Sequence, residues 1–197
     1  MNGRDAVMTR RSCRKYLDKP VEREKLELIV EAGRVAPTGS NSQTTHFIVV
    51  QNKEVLDTLE RLVQEQFAKM EEEPGMYRSM ANAIKVSKQG RYVFHRDPAV
   101  LIITANRIGY GNAMADCACA LENMFVMANE LDLGSCYINA LKWLSEDPVL
   151  IEYEKSLGMA DDERVFGAAA IGYPDTKDGL PPRNDIPHSG NPVTWVE

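Results

Sequence analysis

The 197-residue sequence predicts a fold of the α+β or the α/β class, in which helices pack over one sheet. Two apolar runs, 99–105 and 165–171, have the length of buried strands and are separated by segments with the helical period. No Gly/Ser linker, internal repeat or low-complexity tract divides the sequence. We therefore expect one domain over residues 1–197, long enough to bury roughly 70% of its unfolded surface.

In the N-terminal half, the sequence predicts four helices and one strand. Leu26, Ile29, Val30 and Gly33 fall on one face of an amphipathic helix, which ends at turn residues 36–41. The predicted elements of this half are a short helix over 5–9, an extended segment over 10–16, a helix over 21–35, a strand over 46–51, a helix over 53–72 and a looser helix over 76–90.

The most apolar helix is predicted in the C-terminal half. Apolar residues occur on every side of segment 112–131, so we expect this helix to be buried on all sides or covered by a second subunit. Residues 174–197 include four prolines between Leu180 and Pro192 and should form an extended arm that docks on a surface. The other predicted elements are a strand over 98–105, a short strand or loop over 135–140, a helix over 147–157 and a strand over 164–173.

Positive charge is concentrated near the N-terminus. The net charge of −6 argues against a general nucleic-acid binder, yet residues 1–19 contain six basic and two acidic side chains. If segment 10–16 is extended, Arg10, Ser12 and Arg14 point to one face, because side chains alternate along a strand. Two guanidinium groups and a hydroxyl on one face suit a phosphate and other ligand oxygens. The alternative interpretation is a solvated basic patch.

The other candidate motifs favour structural roles. Segment 109–114 follows a strand and opens a helix, as a dinucleotide fingerprint does, but Met114 stands where that motif needs a small residue. Loop glycines are the better interpretation. Cys117 and Cys119 lie roughly 200° apart around the predicted helix. Since the three histidines, His46, His95 and His188, also lack ligand spacing, we expect no metal site.

The sequence contains no evident motif for nucleophilic catalysis. It has no Gly-x-Ser-x-Gly elbow and no evident nucleophile–base pair, so an enzyme with this sequence would depend on a cofactor. The four cysteines, in a sequence without an apolar leader segment, indicate reduced thiols and a cytoplasmic protein. No apolar run approaches the roughly 18–20 residues that span a bilayer, so we expect no membrane association.

An ordered set of motifs extends along nearly the whole chain. They are Arg10-Arg11-Ser12-Cys13-Arg14-Lys15-Tyr16, Ala36-Pro37-Thr38-Gly39-Ser40-Asn41-Ser42-Gln43 leading into His46-Phe47, Asp97-Pro98-Ala99-Val100-Leu101-Ile102, Leu133-Gly134-Ser135-Cys136-Tyr137-Ile138 and Gly172-Tyr173-Pro174. With these motifs the sequence resembles the nitroreductase-like flavoprotein family from about Val7 to Arg183. The resemblance implies an α+β sandwich with a mixed, mainly antiparallel sheet and an intertwined homodimer that binds FMN at its interface.

The resemblance also implies which residues contact FMN. By the family's pattern, Arg10, Arg11, Ser12 and Arg14 bind its phosphate, ribityl chain and pyrimidine edge. Pro37, Thr38, Gly39 and Asn41 of the partner subunit pack on the ring, and the backbone of Tyr137, Ile138, Asn139 and Ala140 approaches N5. Arg183 adds a phosphate contact, and the arm over 174–197 docks on the partner.

The implied activity is a flavin-dependent reduction. NADH or NADPH passes hydride to flavin N5, and the electrons then reduce a nitroaromatic, a quinone or a similar acceptor in a ping-pong cycle that needs no catalytic side chain. The alternatives are a flavin-dependent dehalogenase, flavin-destructase or heterocycle oxidase of the same fold, and a non-enzymatic flavin-binding protein.

The sequence departs from the family pattern at four positions. Thr44-Thr45 follow Gln43, where the family usually has Pro-Trp. Asn139 replaces a common glycine, and Pro181 stands where many relatives have a basic residue. Segment 73–95 occupies the region that often caps the active site. Tyr77, Lys88, Arg91 and Phe94 then either line the substrate side or belong to a plain surface helix.

Overall fold

The computed structural model describes residues 2–184, 190 and 192–197. Its helices are α1 (Gly3–Thr9), α2 (Arg23–Arg34), α3 (Lys53–Lys69), α4 (Arg78–Ser87), α5 (Ala113–Glu130), α6 (Ala140–Trp143) and α7 (Pro148–Ser156), with a 3-10 turn over Gly39–Asn41. Its strands are β1 (His46–Val50), β2 (Val100–Arg107), β3 (Gly134–Ile138) and β4 (Glu163–Gly172).

The four strands form one sheet in the order β1-β2-β4-β3, and each neighbouring pair is antiparallel. A parallel contact comes from the N-terminal segment, where Ser12 bridges to Ser135 at the β3 edge. The α+β class with a mainly antiparallel sheet is therefore confirmed. Ile48, Ile103, Ala168 and Ile138 lie side by side across the sheet and fix the register of its four strands.

Both faces of the sheet are covered by helices. Side chains of β2 alternate between two cores: Leu101 and Ile103 pack on the side of α3, α4 and α7, whereas Val100 and Ile102 pack on the side of α2 and α5. This alternation follows from the period of two along a strand. Because β2 is central and covered on both faces, it is apolar from Val100 to Ile103 and again at Ala105, as its sequence indicated.

Helix α5 has one uncovered face. Its opposite face packs in the core with α2, but Met114, Ala115, Ala118, Cys119 and Glu122 are exposed, and 45% of Met114 is accessible. Burial on all sides within one chain is therefore wrong for this helix. Cover by a second subunit stays a prediction.

The other predicted elements match the observed ones to within a few residues. The exception is α6, which begins inside the segment predicted as a short strand or loop over 135–140. A helix of four residues contains barely one turn and shows no readable period. Within the described part of the chain, none of the helices combines the length and apolar character that crossing a bilayer requires.

The C-terminal arm follows the N-terminal segment. Pro174 bridges to Tyr16, and the Asp175 N–H donates to the Lys15 carbonyl oxygen at 3.0 Å. The described residues 174–184, 190 and 192–197 contain no helix or strand, and residues 176–180 form turns and bends. An extended arm that docks on a partner stays a prediction. Residues 185–189 and 191, which include His188, lie outside the described residues.

Candidate functional site

A cavity of about 560 Å³ opens where β3 ends and α6 begins, a volume within the usual range of small-molecule sites, about 300–1,000 Å³. Its lining combines arginines, aromatic rings and the four residues 137–140, and no Asp or Glu is among its described lining residues. The lining residues are Arg14, Arg78, Ser79, Asn82, Tyr92, Phe94, Arg96, Cys136, Tyr137, Ile138, Asn139, Ala140 and Trp143.

The N-terminal basic segment runs along the β3 edge of the sheet. The Cys13 N–H donates to the Ser135 carbonyl oxygen at 2.7 Å, and the Cys13 side chain is buried against Gly134, where an added Cβ would lie 2.7 Å from Sγ. Since side chains alternate along an extended segment, Ser12 and Arg14 point to the opposite side, and Arg14 lines the cavity. The segment contains no helix and bridges to its neighbours at Ser12 and Tyr16, in agreement with the predicted extended conformation. The alternation ends at Tyr16, whose ring contacts Gly134 on the same side as Cys13.

The N-terminal segment contributes charge and a hydrogen bond at Cys136. Burial raises the pKa of the Cys136 thiol, while the charges of Arg14, Arg96 and Arg10 and a hydrogen bond from Ser12 act in the opposite direction. Arg10, Ser12 and Arg14 therefore all lie within electrostatic reach of one sulfur atom that lines the cavity.

Arg10, Arg11 and Arg183 have hydrogen-bond partners within the same chain. Arg10 Nε donates to Glu122 Oε1 on the exposed face of α5 at 3.2 Å. Arg11 donates to three backbone carbonyl oxygens, including that of Asn184 at 2.8 Å. Arg183 donates to Asp132 at 2.7 Å and to Asn129 at the end of α5. Arg11 and Arg183 thus fasten the arm to the rest of the chain.

The loop after α2 is rigidly built, and it lies apart from this cavity. The Gly39 N–H donates to the Asp116 carboxylate at 3.1 Å, and the Tyr110 hydroxyl lies 2.9 Å from the same carboxylate and 3.1 Å from the Gly39 carbonyl oxygen. The backbone of Asn41 is left-handed, with φ of 55°. Pro37 and Asn41 are exposed, and Thr38 accepts a hydrogen bond from the backbone of the same loop.

Within one protomer, the order of the strands keeps the loop 37–41 apart from residues 137–140. The loop precedes β1 and residues 139–140 follow β3, so both lie at the same end of the sheet but at opposite edges. Three strand spacings, about 14 Å, separate those edges. One chain brings the N-terminal segment and residues 137–140 together, and it does not bring Pro37, Thr38, Gly39 and Asn41 to them.

Part of the cavity lining was not predicted from the sequence. Of the four residues suggested for the substrate side, Phe94 lines the cavity, whereas Lys88 pairs with Glu71 at 2.9 Å. Arg91 contacts Gln89, and Tyr77 stacks edge-on against Trp143. Two sequence patterns could have predicted the other lining residues. Arg78 and Asn82 are four residues apart and so share one face of a helix. Tyr92, Phe94 and Arg96 occupy every second position, as residues on one side of an extended segment do.

The glycines before α5 serve the turn. Gly109 has φ of 77°, which a glycine adopts without strain. The start of α5 is occupied by Asp116, whose carboxylate accepts the Gly39 N–H, so this helix end does not resemble an open pyrophosphate site. The interpretation as loop glycines therefore fits the structure. The four cysteines are free thiols, and burial raises the pKa of Cys117 to about 11.

A polar cluster outside the cavity was also missed from the sequence. Ligand-type atoms of Glu60, His95 and Asp97 lie within 4.8 Å of one another. His95 is 2% exposed, and its Nδ1 accepts the Asp97 N–H at 3.2 Å, which leaves the proton of a neutral ring on Nε2, facing Glu60. A protonated Nε2 offers no lone pair, so this arrangement suits a histidine–carboxyl pair better than a metal site.

The fold and the motifs agree with one family model. Residues 7–173 match the model described as the nitroreductase family. The chain belongs to the nitroreductase family.

Relatives in this family match most or all of the chain. A protein of Archaeoglobus fulgidus provisionally named NADH dehydrogenase/NAD(P)H nitroreductase is 30% identical over 173 residues, 87% of this chain and 86% of that protein. The nitroreductase of Bacteroides fragilis, solved with bound FMN, has a TM-score of 0.88 at 31% identity over 100% of both chains. The nitroreductase of Desulfitobacterium hafniense, also solved with bound FMN, has a TM-score of 0.80 at 25% identity over 100% of both chains.

Proposed function

We propose that this nitroreductase-family protein is an FMN-dependent oxidoreductase that uses NADH or NADPH to reduce a nitroaromatic, a quinone or a similar acceptor in a ping-pong cycle. The observation that carries the proposal is the cavity in which Arg14 faces residues 137–140. Its size, its arginines and its lack of a described carboxylate fit a planar, phosphorylated cofactor. Relatives in the family that are at least 25% identical are solved with FMN bound.

The residues of the N-terminal segment would hold FMN. Arg10, Arg11 and Ser12 would bind its phosphate and ribityl oxygens, with Arg183 as a further phosphate contact, and Arg14 would lie at the pyrimidine edge. Bound FMN would supply the N5 atom that accepts hydride. The fixed positive charge of Arg14 would stabilise negative charge at the pyrimidine edge.

Residues 137–140 would position the ring. The Tyr137 hydroxyl donates to the Phe166 carbonyl oxygen at 3.3 Å, which ties this segment to β4. Ile138 and Ala140 are buried, and Asn139 is exposed beside the cavity. This anchoring would keep the backbone of Tyr137, Ile138, Asn139 and Ala140 rigid against the ring, so that orientation rather than a catalytic side chain promotes transfer.

A second copy of the chain would complete the site. Because the loop 37–41 and residues 139–140 lie at opposite edges of the sheet, Pro37, Thr38, Gly39 and Asn41 of the partner subunit would pack on the ring. The exposed face of α5 at Met114, Ala115, Ala118 and Cys119 would be covered in this homodimer. We also propose that residues 1–197 form one domain, that the arm over 174–197 docks on the partner, and that the protein is cytoplasmic.

The homodimer is tested on the exposed face of α5. Ala118→Glu puts a charge into the proposed interface and is expected to give a monomer that has lost most of its FMN, because burying an unpaired charge costs several kcal/mol. The matched control is Ala160→Glu, at an exposed alanine between α7 and β4. Light scattering coupled to size exclusion measures the mass. A dimeric Ala118→Glu variant would place the subunit interface elsewhere.

Cofactor binding is tested directly. Purified protein should be yellow and release FMN on denaturation, and Arg10→Glu should weaken FMN binding by about 1.5–3 kcal/mol, the strength of one charged hydrogen bond. Arg23→Glu, at an exposed arginine of α2, is the control. A colourless protein that takes up no added FMN refutes the proposal. If FMN binds but neither NADH nor NADPH bleaches it in stopped flow, the protein catalyses another class of flavin reaction found in this fold.

A further inference from the structure

Two arginines outside the proposed FMN contacts line the same cavity. Arg78 is the first residue of α4, and Arg96 lies four residues before β2 begins. Together with Arg14 they give the cavity three guanidinium groups. Within the described residues, none of these three arginines forms an ion pair with an Asp or Glu.

Some exposed cations elsewhere on the surface are paired with carboxylates. Arg23 binds Glu27 at 2.9 Å, and Arg61 binds Glu65 at 2.8 Å, each one helical turn away. The protein as a whole has a net charge of −6. In the cavity wall, three guanidinium groups have no ion-pair partner among the described residues, and no Asp or Glu is among the described lining residues. Such a wall attracts anions even on a protein of negative net charge.

The rest of the cavity lining suits an aromatic ring. Tyr92, Phe94 and Trp143 line it with apolar ring surface, and Trp143 is held edge-on by Tyr77 and Phe67, with ring centroids 6.0 and 6.3 Å apart. The positive charge of Arg96 lies close to this wall, since it opposes the burial that raises the pKa of Tyr92 to about 12. Aromatic and cationic groups therefore share one wall of the cavity.

We propose that this cavity selects electron acceptors that combine an aromatic or quinone ring with an anionic group, and that Arg78 and Arg96 bind that group. The inference rests on the proposed function and names the substrate class of the same site. For a nitroaromatic carboxylate, NAD(P)H and a proton reduce the nitro group by two electrons to a nitroso group, with release of NAD(P)⁺ and water. The carboxylate takes no part in this chemistry and serves recognition alone.

The first experiment compares two acceptors of nearly the same shape. The ratio of kcat/KM for 4-nitrobenzoate to that for the neutral 4-nitrobenzamide is measured in the wild type, Arg78→Gln, Arg96→Gln and the double variant. The wild-type ratio should be at least about tenfold, the value of one charged hydrogen bond, and it should fall towards one in the double variant. Lys85→Gln, at an exposed cation of α4 outside the cavity lining, should keep the wild-type ratio.

The second experiment measures binding without turnover. The chain has two tryptophans, so Trp195→Phe leaves Trp143 as the fluorophore in the cavity wall. Benzoate should change its fluorescence at a concentration at least about tenfold lower than benzamide does, and added NaCl should reduce this difference. This titration tests anion selection even if the protein binds no FMN, so failure of the proposed function is distinguishable from failure of this proposal.

Two results would overturn the proposal. One is a wild-type protein that neither reduces nor binds the carboxylate better than the amide. The other is a pair of arginine variants that keep the wild-type acceptor ratio but lose preference for NADPH over NADH, which would assign Arg78 and Arg96 to the coenzyme's extra phosphate instead.

Discussion

Glu154 is a carboxyl group that the fold buries without a partner. It lies on α7 with 0% of its surface exposed, and neither side-chain oxygen has a hydrogen-bond partner within the described residues. Burial raises its pKa to about 8, with a smaller contribution from the charge of Asp147 and an opposing one from Arg164. The substitution Glu154→Gln keeps the shape of the side chain and removes its ionisation.

The contribution of Glu154 to the free energy of unfolding decreases as the pH rises. The pKa of Glu154 is about 8 in the folded state, against 4.5 for an ordinary glutamate. The protonated Glu154 carboxyl gives the folded state its full stability below pH 4.5, and this stability is lost as the pH rises through about 8. Within that window unfolding releases one proton, so the free energy of unfolding falls by about 1.4 kcal/mol per pH unit. Between pH 5.5 and 7.5 wild type should lose about 2 to 3 kcal/mol relative to Glu154→Gln.

Urea unfolding at pH 5.5, 6.5 and 7.5, followed by circular dichroism, measures this difference. The control is Glu152→Gln, at an exposed carboxyl two residues away on the same helix, which should follow the wild-type dependence at each pH. If the stability of Glu154→Gln runs parallel to wild type across this range, then Glu154 either reaches water or has a partner, and the reasoning from its burial is wrong.

Two further substitutions test local geometry. In Gly39→Ala the added Cβ lies 2.6 Å from the Tyr110 hydroxyl and also meets Asn112, so we expect a loss of about 1–3 kcal/mol and weaker FMN binding, measured by urea unfolding and flavin titration. Gly111→Ala meets no atom within 4 Å and should change neither value; equal behaviour of the two variants would refute the steric argument. Asp147→Ala removes the side chain that accepts the first N–H groups of α7 and should cost about 1 kcal/mol, whereas Asp147→Asn should restore most of it.

Local patterns in the sequence predicted most of the secondary structure. The amphipathic period of 21–35 predicted α2, observed over Arg23–Arg34, because the burial of Leu26 and Ile29 on one face repeats with the turn of a helix. The apolar run of β2 predicted a strand covered on both faces. Alternation along segment 10–16 predicted that Ser12 and Arg14 share a side, and this side faces the cavity.

Long-range placement could not be predicted from the sequence alone. Sheet order decides that the loop 37–41 and residues 139–140 lie at opposite edges, and no local pattern encodes which strands become neighbours. The cavity wall that contains Arg78, Tyr92 and Arg96 arises because α4, the segment before β2 and the end of β3 meet at one cavity. Burial of Glu154 likewise depends on what packs against α7.

The amino-acid sequence by itself therefore determined that helices pack over one sheet, the order of helices and strands, and the segment that supplies the cationic donors. These properties depend on side-chain periodicity and charge over a few neighbouring residues. The tertiary structure decided which distant side chains share a cavity, which buried groups lack partners, and which face of α5 remains open. Those properties depend on contacts between residues far apart in the chain, where packing and desolvation set the outcome.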